Sequence, residues 1–146
     1  MFDKSKSAAE IFNKHSRLYQ DKFMDVSLYA NSFDFFCNNI LKQEPEILEL
    51  ACGPGNITNY LLHKRPDFRI LATDLAPDMV ALGKINNPTA TFKVMDCRTI
   101  KKINKKYNGI MCGFCLPYLD QSETKKLIVD ASCILNLDGL LYLSTM

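Results

Sequence analysis

A few positions carry most of the chemistry open to this chain: Glu49, the turn Gly53-Pro54-Gly55, Asp74 and the pair Asp96-Cys97. Gly53 and Gly55 lack Cβ atoms, so the backbone can turn sharply, approach a ligand closely and leave amide groups pointed at it. Glu49 stands just before that turn. A phosphate cradle would gain from a lysine there, whereas an acid favours a ligand with positive charge or with hydroxyl and ammonium donors. Asp74 follows the glycines by about 20 residues, the interval expected of a carboxylate that accepts from both hydroxyls of a ribose.

These residues need elements that bring them together. Ile47 to Leu50 reads as a strand running into the glycine turn, and Ile57, Tyr60 and Leu61 recur at helical spacing until Arg65-Pro66-Asp67 ends the helix. Ile70 to Thr73 is a second buried strand ending at Asp74, and Pro77 opens the next helix, where its missing N–H costs nothing. Thr91 to Met95 delivers Asp96-Cys97, and Gly109 to Gly113 forms a fourth strand. Asp120 with Glu123 reads as a capping box opening a helix whose buried face is Leu127, Ile128, Ala131, Ile134 and Leu135. Asp138-Gly139 then turns the chain into a fifth strand, Leu140 to Thr145. The alternation predicts an α/β fold with a doubly wound, mostly parallel sheet, in which ligands bind at the carboxyl ends of the strands.

On these residues the chain, from Ile47 to Thr145, resembles the class I S-adenosylmethionine-dependent methyltransferases. In their first motif, E/D-x-G-x-G-x-G, Glu49, Gly53 and Gly55 match and Ala51 replaces the first glycine; Asp74-Leu75-Ala76-Pro77-Asp78-Met79 resembles the second. The resemblance implies a Rossmann-like methyltransferase fold, strand order 3-2-1-4-5-7-6, of which about five strands are present. It implies S-adenosyl-L-methionine as cofactor, S-adenosyl-L-homocysteine as product, and methyl transfer to a small molecule. The implied cofactor residues are Glu49, Ala51, Cys52, Gly53, Gly55, Asn56, Asp74, Leu75, Met79, Asp96, Cys97 and Gly113. Among them Glu49 would pair with the ligand's ammonium, Leu75 and Met79 would cover the adenine, and Asp96 would receive its amino group. An N-terminal helix would close over the methionine end, with Tyr19 as its aromatic residue. The chemistry needs no dedicated base; Tyr118, His15 and Tyr19 are candidates to assist. Cys112 to Tyr118 lacks the N/D-P-P-Y/F signature of amino methylation, which favours a small-molecule acceptor.

Two other readings compete. Gly53-Pro54-Gly55-Asn56-Ile57-Thr58 is G-x-G-x-x-T, close to a nicotinamide-dinucleotide fingerprint, but its third glycine is missing and Glu49 and Asp96 would go unused. A binding module that keeps the pocket and transfers nothing is the other.

Length and composition fit one domain: 146 residues, 18 basic against 16 acidic, net charge +2. Residues 1–44 are expected to form an N-terminal helical cap, with Val26, Tyr29, Ala30, Phe33, Phe36, Cys37, Ile40 and Leu41 at helical spacing and Ile11, Phe12, His15, Leu18 and Tyr19 before them. Residues 45–146 form the core, which is expected to be truncated after the fifth strand. That strand, apolar and uncharged, would otherwise seek a partner and form a homodimer. No bulk charge favours nucleic acid, no apolar run reaches a membrane span, and the polar N-terminus lacks a signal-type core, so a cytoplasmic protein is expected. Six cysteines in apolar settings suit reduced thiols; Cys112-x-x-Cys115 has no further ligands nearby in sequence, so no metal is expected.

Overall fold

The computed structural model describes residues 3–17 and 26–144. Short runs of aliphatic residues fold into strands β1 (Glu46–Leu50), β2 (Arg69–Asp74), β3 (Thr91–Val94), β4 (Tyr107–Cys112) and β5 (Leu135–Leu143), which form one sheet in the order β3-β2-β1-β4-β5. All four pairings are parallel. Among the described residues, helices α1 (Lys4–Lys14), α2 (Ala30–Asn39), α3 (Asn56–Lys64), α4 (Pro77–Asn86) and α5 (Gln121–Ile134) accompany the sheet, with short 3-10 segments between some of the elements.

The central strands are apolar on both faces because each face meets a different core. On β1, Ile47 enters a core with Phe33, Phe36 and Cys37 of α2, Ile57 and Leu61 of α3, and Val80 of α4. Its neighbour Leu48 enters a second core with Leu127, Ala131 and Ile134 of α5. Ile110 and Met111 of β4 divide in the same way.

Local signals set the boundaries. Asp120 and Glu123 make both bonds of the capping box. Pro77 occupies the first turn of α4. The C-terminus of α2 is closed by a side chain from elsewhere: Arg65 donates to the carbonyls of Cys37 at 2.9 Å, Ile40 at 2.7 Å and Lys42 at 3.1 Å.

Several expectations need correction. Leu41 is 87% exposed rather than buried, because the chain turns extended at Ile40 and the helical period stops there. Ile128 is on the outer side of α5, and Asp130, paired with Lys126, takes the buried place beside Ala131. The fifth strand starts at Leu135, not Leu140; residues 136–139 bulge out between the pairs Tyr107–Leu135 and Gly109–Leu140, with Asp138 left-handed at φ 64. Thr145 lies outside the described residues. The first helix begins at Lys4, capped by Asp3, earlier than the apolar spacing alone placed it.

Candidate functional site

The parallel order brings the carboxyl ends of β1, β2, β3 and β4 to one side of the sheet, where a cavity of about 390 Å³ opens. Ala51, Cys52, Gly53 and Asn56 line it from the turn after β1; Asp74, Leu75 and Met79 after β2; Asp96 and Cys97 after β3; and Gly113 after β4. Ten residues expected from sequence thus converge. Glu49 and Gly55 do not line the cavity, and Tyr19 lies outside the described residues.

The turn after β1 is built from left-handed backbone, with Ala51 at φ 53, Gly53 at φ 56 and Gly55 at φ 88. The first glycine of the motif therefore corresponds to a left-handed position that Ala51 occupies against steric preference. The turn is held from several sides. Cys52 N donates to Thr73 O at 2.9 Å, and Gly53 N donates to Asp74 Oδ2 at 2.9 Å. Asn86 Nδ2 donates to Pro54 O at 2.8 Å, and Asn87 Nδ2 to Gly55 O at 3.0 Å. The Gly53 amide is thus aimed at Asp74 rather than at the ligand, as its lack of a Cβ had suggested. Gly55 has a packing role: a Cβ there would lie 2.3 Å from Asn87 Nδ2.

Glu49 sits beneath the cavity floor. It is fully buried, and the Thr58 hydroxyl donates to its Oε1 at 2.5 Å. Among the described residues its Oε2 is the buried side-chain oxygen or nitrogen without a hydrogen-bonding partner. Burial pushes its pKa up to about 8, the Thr58 hydroxyl opposing and the charge of Asp74 adding. Glu49 is therefore protonated at neutral pH, since an unpaired buried charge would be far more costly. Thr58, in the place of a third glycine, is itself buried and serves this carboxyl.

Asp74 Oδ1 accepts from Ala76 N at 2.9 Å. Burial raises its pKa, and the amides of Ala76, Gly53 and Leu75 pull it back. Asp96 is held differently. Both its oxygens accept from Arg98, at 2.7 to 3.0 Å, and Arg98 N adds a bond at 2.9 Å. Burial would raise its carboxyl, but the guanidinium and amide of Arg98 outweigh that and hold it below the usual range.

The resemblance implied an N-terminal helix over the site, but the residues that α1 brings there were not singled out from the sequence. Ser5, Ala8, Ala9 and Phe12 of α1 cover the cavity, and Tyr29, Phe114 and Tyr118 wall it with rings. Phe12 meets Tyr118 edge-on at 5.5 Å, and Tyr29 lies against Phe114 at 4.7 Å. Phe114, at φ 61, is a second strained residue at a strand end. The Asp3 cap was a local signal for α1, but nothing local tells that the helix lies over the site. Burial raises the Tyr118 phenol, so it stays protonated. His15 is exposed at the end of α1 and does not line the cavity. All six cysteines are free, and no group of metal ligands exists among the described residues.

Comparison with known proteins agrees with this geometry. A family described as methyltransferase domain matches residues 47–139. The chain is 37% identical over 104 residues to malonyl-[acyl-carrier protein] O-methyltransferase of Priestia megaterium, covering 70% of this chain and 32% of that one. It is 40% identical over 60 residues to trans-aconitate 2-methyltransferase of Mycobacterium ulcerans, covering 41% of this chain and 22% of that one. The chain spans about a third of the length of the curated relatives it matches over their longest stretches. Its fold is similar to that in the DhpI–SAH complex, with a TM-score of 0.78 at 17% identity, covering 95% of this chain and 67% of the other.

Proposed function

The chain belongs to the methyltransferase-domain family of class I S-adenosylmethionine-dependent methyltransferases, and from that premise we propose that its cavity binds S-adenosyl-L-methionine and that the chain moves the methyl group to a small-molecule acceptor. The observation that carries this reading is the convergence of Asp74, Asp96 and the glycine turn on one cavity, each from a different strand end. The donor set fits the group. Asp74 retains acceptor capacity beyond its amide partners for ribose hydroxyls, and Leu75 and Met79 offer apolar cover to a purine. A side chain at Gly113 would press on Ile57 Cδ1 at 2.6 Å, so glycine keeps that wall open.

When bound, the cofactor supplies a methyl already activated by a positive sulfur. The residues of the chain then have to bind, align and exclude water, an effect that can supply about 7 to 11 kcal/mol. The roof of Ala8, Ala9 and Phe12 suits water exclusion. Tyr118, as a neutral phenol, can donate to or accept from an acceptor's polar group. The names of the relatives, which act on malonyl-[acyl-carrier protein] and on trans-aconitate, support a metabolic acceptor.

We also read residues 1–44 as a helical cap on the core of residues 45–146, supported by the position of α1 over the cavity. The six free thiols favour a reducing, cytoplasmic setting. Among the described residues no helix is long and apolar enough to cross a membrane. The β5 edge is proposed to pair with a second copy.

Calorimetry with S-adenosyl-L-homocysteine tests the central claim. The parent should bind it, NAD should not compete, and Asp74→Ala should weaken binding by about 1 to 3 kcal/mol through unpaired hydroxyls. Binding of NAD without any of S-adenosyl-L-homocysteine would overturn the proposal. An Asp74→Ala variant that binds as tightly as the parent would remove the ribose assignment alone.

A further inference from the structure

Arg98 plays no part in the reading above, yet it donates to three carboxylates from three separate elements. Its Nε and one terminal nitrogen grip Asp96 at the end of β3, while the other terminal nitrogen donates to both oxygens of Asp3 and to Glu123 Oε1, all at 3.1 Å. Asp3 is the N-cap of α1, the helix that roofs the cavity, and Glu123 belongs to the capping box of α5. The Arg98 side chain is only 20% exposed, so these pairs are less screened than fully exposed ones.

The donors and acceptors in this cluster are crowded. A carboxylate has about four acceptor positions, and Asp96 Oδ1 and Oδ2 already receive four contacts from Arg98. One terminal nitrogen, with two hydrogens, faces three oxygens of Asp3 and Glu123. Asp3 and Asp96 therefore share one guanidinium through different nitrogens, and Asp3 divides its terminal nitrogen with Glu123. A ligand amino group arriving at Asp96 loosens the hold of Nε and the second terminal nitrogen there, and the guanidinium can then settle more closely on Asp3, which it already contacts.

We infer that Arg98 is a positioning residue that couples occupancy of Asp96 to the docking of α1: filling the cavity's purine end tightens the roof through the Asp3–Arg98 pair. The inference rests on the adenosyl reading of the cavity. It does not require Arg98 to touch the ligand.

Linkage sets a quantitative requirement. If the ligand strengthens the docking of α1 by some factor, docking must strengthen ligand binding by the same factor, and couplings of this kind commonly run from about 5-fold to 150-fold. Asp3→Asn is the sharpest variant, because asparagine still caps α1 by accepting from the amides of Ser5 and Lys6, now 3.1 Å from Asp3 Oδ1, and only the charge is lost. Arg98→Lys is the second variant, keeping the charge but not the fork.

The test combines calorimetry with S-adenosyl-L-homocysteine and amide hydrogen exchange of α1 in the intact chain, with and without that ligand. In the parent, ligand should slow exchange across α1 by about tenfold, within the coupling range above. In Asp3→Asn and Arg98→Lys that gain should vanish while the apo exchange of the sheet is unchanged, and affinity should fall by a matching factor. Ligand that binds with the same gain in α1 protection in both variants overturns the inference, as does a parent whose α1 is indifferent to bound ligand. A parent that binds no S-adenosyl-L-homocysteine would sink the cofactor reading and this coupling together.

Discussion

Glu49 and Ala51 illustrate how far a motif can be read by itself. The acid and the glycine turn were legible because their spacing is local, but the work of each residue depends on neighbours distant in sequence. Glu49 was expected to meet the ligand's ammonium; Thr58 and the sheet centre instead bury it and keep it neutral. Its proton has a consequence for stability. With a folded pKa of about 8 against an unfolded value near 4.3, the folded chain holds a proton that the unfolded chain has already released. Stability should therefore fall as pH rises between those values, by on the order of 1 kcal/mol per pH unit. Glu49→Gln, which cannot ionise, should flatten that slope in melting curves from pH 5 to pH 8 (roughly the window between the two values); an unchanged slope would mean that Glu49 is not its source. Ala51→Gly should stabilise the chain by about 1 kcal/mol, because glycine relieves the left-handed strain at φ 53 at a smaller entropic cost. Chemical denaturation would measure it, and a loss of stability would contradict the strain argument.

Elements were legible where burial on both faces forced apolar strands, and where a cap was local, as with Pro77 and the Asp120–Glu123 box. They were misplaced where a tertiary partner decided the matter. The end of α2 depends on Arg65, which looked only like a helix stop, and β5 starts early because Leu135 pairs with Tyr107 before the bulge. Arg65→Ala should cost about 2 to 3 kcal/mol, since it strips donors from the carbonyls of Cys37 and Ile40 together. A loss below about 0.5 kcal/mol, the level of an ordinary surface change, would show that water replaces it freely. Gly83 in α4 reverses a familiar rule. Alanine inside a helix is ordinarily favoured over glycine by about 0.5 to 1 kcal/mol. Here its Cβ would lie 2.3 Å from the Phe92 ring, so Gly83→Ala should destabilise by about 1 to 3 kcal/mol in the same assay.

At the scale of the molecule, the strand-end site followed from the alternation of helices and strands, whereas the sheet order β3-β2-β1-β4-β5 is the one the family resemblance implied. An N-terminal cover over the site was implied by the family resemblance alone, and the tethers that seat α1, at Asp3, Ser5 and Asn13, carry no local pattern that tells where the helix will lie. Among the described residues β5 is an edge strand of the sheet, and the exposed Leu143 carries no charge to discourage a partner. Light scattering should find a dimer, and Leu143→Lys should return it to a monomer; a monomeric parent would remove that proposal. The tethers of α1 have a further consequence for how the protein is made. Asp3 waits for Arg98, 95 positions later, and Ser5 donates to Tyr118 O across 113 positions. Asn13 accepts from Asp78 N, across 65. On the ribosome this helix emerges well before any of these partners, so a growing chain can shape the strand-end floor before it can own a closed chamber, and the segment synthesised early is among the last to find its seat.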